Sequence, residues 1–232
     1  MCDLFAESIW DYAHSVEQIS SRIEVEGEEI IDKIQKESGR VMIVLGHVGN
    51  WEIFSSLIGI CSARNKDGFT SKPIYTLYKA AESKFSDMIF KEIREHEYRK
   101  FKSSGNMVES KELALHTIRH REEVCTYVLI ADQNPIGEHP MIVNFLNQPT
   151  AMLRGPEYLS TRGKMGVIYM NMDRIGRGRY KFKFDLITPN AANEEEGFVT
   201  KRFASLLERD INNNKVNWLW SHKRWKRVIE SD

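Results

Sequence analysis

Long apolar runs are missing from this chain. None approaches the ~18–20 residues of a membrane-spanning helix, and the most apolar helical stretch, IFSSLIGICSA at 53–63, is short enough to read as a buried helix. Cysteine is scarce. Cys2, Cys61 and Cys125 stand far apart without a Cys-x-x-Cys pair, which argues against a disulfide framework or a zinc ribbon and fits a reducing compartment. There is no excess of charge, with 33 Lys+Arg against 33 Asp+Glu, so overall charge names no partner. The N-terminus carries Asp3 and Glu7 and no basic stretch, unlike a signal peptide. No Pro/Gly/Ser-rich linker divides the 232 residues, so a single domain, 1–232, is expected.

Several motifs are absent too. Without a Gly-x-Ser-x-Gly elbow a serine hydrolase is not indicated. There is no Gly-x4-Gly-Lys loop, and GRGRY at 176–180 is not Gly-x-Gly-x-x-Gly, so no nucleotide site is supported. No nucleic-acid-binding motif is visible.

What is present alternates between helix and strand periodicity. Residues 4–37 read as helical. RVMIVLG (40–46) is a buried strand bounded by glycine, and Asn50 is a good N-cap for the apolar helix that follows. KPIYTLYK (72–79) reads as a strand, 82–99 and 109–121 as helices, and EVCTYVLIAD (123–132) as another buried strand. MIVNFLN (141–147) suggests a strand, 153–164 a short helix, 165–189 two strands joined by Gly-Arg-Gly, and 194–214 a final helix. This pattern predicts an α/β domain with a central sheet flanked by helices.

The chemistry centres on GHVGNWE, 46–52. A histidine at the carboxyl end of a buried strand sits where open α/β sheets bind ligands. On one regular helix His47 and Glu52 would lie about 140° apart. If His47 instead occupies the turn and the helix starts after Asn50, Glu52 falls in the first turn and can swing back. Gly46 and Gly49 allow the tight backbone this needs. A carboxylate on one imidazole nitrogen leaves the other to act as general base on a substrate hydroxyl. The same residues also read as a turn histidine and a helix-cap carboxylate, because His-x4-Glu alone is a weak signal.

Charge is uneven locally. Residues 162–183 hold seven Lys/Arg against Asp173 alone, and 215–227 hold five with no acid. Such fields suit an anionic membrane surface, a phosphorylated lipid or an acidic carrier protein. Trp218, Trp220 and Trp225 interleave with the second patch as interfacial anchors do, or else belong to the core. His116 and His120 have metal-ligand spacing without the Glu of His-Glu-x-x-His, and read as a solvated helix face; no metal or cofactor is expected.

GHVGNWE resembles the active-site signature of the bacterial lipid A biosynthesis acyltransferases, within the wider His-x4-Asp/Glu lysophospholipid acyltransferase-like group. YTLYK (75–79), FKEIREH (90–96), LIADQNP (129–135), 143–174 and WLWSHKRWK (218–226) resemble further family blocks in order. LYK stands where many members have Tyr-Arg-Pro, and Asp132 is followed by Gln-Asn. The resemblance starts well inside the family's pattern, so the family's N-terminal membrane-anchor region is expected to be missing.

The resemblance implies an α/β sandwich with a central mixed sheet. It also implies acyl transfer from an acyl-carrier-protein or CoA thioester to a hydroxyl of a lipid A precursor, at the cytoplasmic face of the bacterial inner membrane. His47 would be the general base and Glu52 its orienting partner. Oxyanion donors would come from Asn50, amides of the 48–51 turn or a nearby cation. Lys79, Arg94 and Arg154 would meet acceptor phosphates, or else be surface charges. Asp132 would bind acceptor or support the site, or merely form a turn. IFSSLIGI and MIVNFL would wall an acyl channel near His47. The alternatives are an acyltransferase with another lipid acceptor, such as a lysophospholipid or aminolipid, and a catalytically idle lipid-binding relative.

Overall fold

A computed structural model describes residues 2–79, 83–100, 105–135, 140–221 and 224–225. In chain order the elements are α1 (Cys2–Ala13), α2 (Val16–Ser20), β1 (Ile23–Glu26), α3 (Glu29–Ser38), β2 (Arg40–Leu45), α4 (Phe54–Arg64), β3 (Ile74–Tyr78), α5 (Lys84–Lys100), β4 (Gly105–Glu109), α6 (Leu113–Arg119), β5 (Cys125–Ile130), β6 (Met141–Phe145), β7 (Gln148–Met152), α7 (Gly155–Gly163), β8 (Gly166–Gly176), β9 (Arg179–Thr188) and α8 (Phe198–Asn213). Seven strands form one mixed sheet in the order β1-β9-β8-β2-β5-β3-β4, and β6 and β7 form a separate hairpin. This is the expected α/β domain with a central sheet between helices.

β2 lies at the centre, parallel to both β5 and β8. Its alternation assigns the two faces. Met42 and Val44 pack with residues of α6, α7 and α8, while Val41, Ile43 and Leu45 pack with residues of α3 and α4. A strand covered on both faces must be apolar at every position, hence VMIVL. Each such side chain contributes roughly 1.5–3 kcal/mol on burial. No helix among the described residues is long and apolar enough to cross a membrane.

The structure corrects the reading in two places and, in a third, adds β7 as the partner of a strand that was expected. The helical stretch 4–37 is broken. Ser15 makes a capping box with Gln18 that starts α2, and Ile23 and Val25 alternate with Glu24 and Glu26 as the edge strand β1 on β9. The helix expected at 109–121 shrinks to α6, because Glu109 ends strand β4 against Tyr78 of β3, Glu112 is the N-cap and His120 is the C-cap. MIVNFLN is half of a hairpin whose two-residue turn puts Leu146 and Asn147 at φ 52° and 61°. Such turns favour Asn-Gly, so Leu-Asn hides it.

Candidate active site

β2 and β5 run parallel in register, Arg40 against Cys125 through Leu45 against Ile130, and the Ala131 amide continues the ladder to the Leu45 carbonyl. Two residues further along each strand stand His47 and Asp132. His47 Nδ1 lies 2.5 Å from Asp132 Oδ1, and the His47 amide donates to Oδ2 at 2.9 Å. Both side chains are buried. Gly46 makes the approach possible, since a Cβ there would stand 2.6 Å from Leu207 Cδ1 and 3.3 Å from Asp132 Oδ2.

A C-terminal strap locks this loop. The Gly49 amide donates to the Asn217 carbonyl, the Leu219 amide donates to the His47 carbonyl, and Val48 and Trp218 form a β-bridge. Gly49 has φ +65°, the left-handed region that favours glycine. From the strap, Trp218 Nε1 donates to Asp132 Oδ2 at 2.8 Å. The Asp132 carboxylate thus accepts three N–H groups. Burial alone would raise its pKa; the hydrogen bond and charge of His47, with the Trp218 and His47 amide donors, outweigh burial and hold it below its ordinary value.

An ionised carboxylate only accepts, so Nδ1 carries the proton and a neutral His47 keeps its lone pair on Nε2. Gln133 Nε2 stands 3.4 Å from that atom, and the Trp51 ring meets the imidazole edge-on at 4.8 Å between centroids.

The place on Nδ1 that the sequence reading gave to Glu52 therefore belongs to Asp132. Arg94 of α5 holds the Glu52 carboxylate through Nε and Nη2, both at 2.8 Å. The Asn50 side chain accepts from the Glu52 amide, while its Nδ2 donates to Glu7 of α1. Asn50 is thus committed to the loop rather than poised as an oxyanion donor. The amides of Val48 and Gly49 are also engaged, by Gly46 and Asn217. Lys79 is exposed just past β3, and Arg154, beside α7, pairs with the exposed Glu196 at 2.6 Å. Glu52 and Arg94 line a cavity of about 60 Å³ with Trp51, Phe54, Tyr78 and Met107. Phe54 is the one residue of the two expected channel walls found there.

The basic stretch 162–183 is largely neutralised: Arg174 faces Glu7, Arg179 Glu24, Lys181 Glu26 and Lys183 Asp173. Among the tryptophans, Trp218 is buried and Trp225 packs against the core, leaving Trp220 at 51% exposure. Lys223, Lys226 and Arg227 lie outside the described residues. His116 and His120 are not simply solvated. They stack at 4.1 Å, and their Nδ1 atoms meet Tyr127 and Glu123.

A buried histidine–carboxylate pair at the carboxyl ends of two neighbouring parallel strands is a candidate general-base site on an α/β sheet. The chain belongs to the bacterial lipid A biosynthesis acyltransferase family, whose model matches residues 4–227. The match begins before the blocks that carried the resemblance and runs through the strap. A search of the curated proteins finds no match.

Proposed function

We propose that this protein transfers a fatty acyl chain from a carrier-protein or CoA thioester to a hydroxyl of a lipid A precursor. Family membership gives the reaction class, and the observation that carries the mechanism is the Trp218–Asp132–His47 relay ending on a base-ready Nε2. Nε2 takes the proton of the acceptor hydroxyl as its oxygen attacks the thioester carbonyl. Asp132 stabilises the resulting imidazolium. The tetrahedral intermediate collapses, the C–S bond breaks, and the proton leaves His47 for the departing thiolate. With the Val48 and Gly49 amides engaged, Gln133 is the side chain placed to donate to the oxyanion.

The lipid side is the groove between α1 and α5, a cleft of about 760 Å³ whose walls include Ile9, Tyr12, Met88, Ile89 and Ile93. Four of these are exposed apolar side chains, which supports contact with lipid chains at the cytoplasmic face of the inner membrane. The test is acyl transfer from labelled acyl carrier protein to a lipid A precursor by the wild type and His47→Ala. Loss of transfer by about 10³-fold is expected, and equal rates would remove the general-base assignment. Mass spectrometry of lipid A from cells lacking the gene checks the acceptor, since an unchanged acyl count would point to another lipid.

A further inference from the structure

Arg224 lies in the C-terminal strap with 3% of its surface exposed. Its Nη2 donates to the Ala151 carbonyl at 2.7 Å and touches the Met152 sulfur at 2.6 Å. Among the described residues, Nε and Nη1 have no acceptor, and both are shut off from solvent. A guanidinium carries five N–H donors and keeps its proton at neutral pH. Burial pushes Arg224 down to about 10, opposed by the charge of Asp132. Asp132 does not complete it, because no hydrogen bond or ion pair joins its carboxylate to Nε or Nη1 of Arg224. The other arginines of the site end differently: Arg94 meets Glu52 and Arg154 meets Glu196. A buried cation with two open donors calls for an anion that arrives with a ligand.

We propose that Arg224 is the buried half of an anion site, beside the His47–Asp132 pair, that takes a phosphate group of a substrate. Phosphate suits it because the open donors sit on two different nitrogens, and a phosphate offers several acceptor oxygens and up to two charges. The source rests on the acyl-transfer reading. It is either a phosphate of the glycolipid acceptor or the phosphodiester of the donor's pantetheine arm. Trp225 anchors the strap through Thr150 and packs edge-on to Trp218, so indole emission reports on the site.

The experiment titrates the full chain with inorganic phosphate at constant ionic strength, reading tryptophan emission and melting temperature. The wild type should respond saturably to phosphate and not to chloride. Arg224→Met, close in volume and uncharged, should fold and show no response, and Arg224→Lys should respond at least tenfold more weakly. A wild type without response, or an Arg224→Met response equal to wild type, overturns the site. In acyl-transfer assays, Arg224→Lys should raise KM about tenfold for one substrate, the acceptor or the donor, identifying the phosphate's source. Unchanged KM for both contradicts a substrate site. Phosphate binding without any acyl transfer by the wild type would sink the proposed function and leave the anion site standing.

Discussion

Two carboxylates compete for the role of partner to His47, one five residues away and the other eighty-five. The near one, Glu52, leaves a 3-10 turn that places Trp51 against the imidazole, and its carboxylate goes to Arg94 on α5. The distant one, Asp132, arrives through the in-register pairing of β2 and β5 and takes Nδ1. Adjacent parallel strands deliver their carboxyl ends to one place whatever the sequence separation. A neighbour in sequence is delivered only if the intervening turn points it there.

The comparison can be broken by substitution. Asp132→Asn replaces the acceptor of Nδ1–H with an amide that can force the wrong tautomer, and kcat should fall by about 10³–10⁴. Glu52→Gln weakens the Arg94 pair. It should lower stability by about 2 kcal/mol in denaturant unfolding and kcat by about tenfold, with the pH–rate profile unmoved. Trp218→Phe keeps an aromatic ring but loses the indole N–H that donates to Asp132. The carboxylate becomes more basic but is held less firmly behind Nδ1–H of His47, so kcat should fall a few-fold, roughly 1 kcal/mol. The acidic limb of kcat/KM should also shift to higher pH.

The smallest effect is on stability against pH. The folded Asp132 carboxyl lies below the value of about 3.9 in unfolded chains. Its contribution is therefore complete above that value and disappears as pH falls through the folded one. Melting temperatures of Asp132→Asn should accordingly fall less steeply than wild type below about pH 4.

Much of this was legible in the sequence. The β-branched run VMIVL announced a central strand, the glycines at 46 and 49 announced the turn, and Asn50 announced the helix start it caps. Asp132 was visible as a residue at the end of a buried strand. Its role was not, because strand order and register are long-range properties that spacing does not carry. The strap was only half legible for the same reason. Composition left Trp218 open between interface and core and read Arg224 as part of a surface field, yet residues 217–219 fold back over the loop at 47–49, and Arg224 and Trp225 meet the β6–β7 hairpin. Charge runs misled where partners were remote in sequence, as with Lys181 and Glu26.

The central claim is that Asp132 holds the Nδ1 proton of His47. Histidine-selective ¹⁵N–¹H NMR of wild type, Asp132→Asn and Glu52→Gln tests it most directly. A downfield Nδ1–H resonance of His47 should be present in wild type, persist in Glu52→Gln and vanish in Asp132→Asn. Its loss in Glu52→Gln with survival in Asp132→Asn would contradict the assignment.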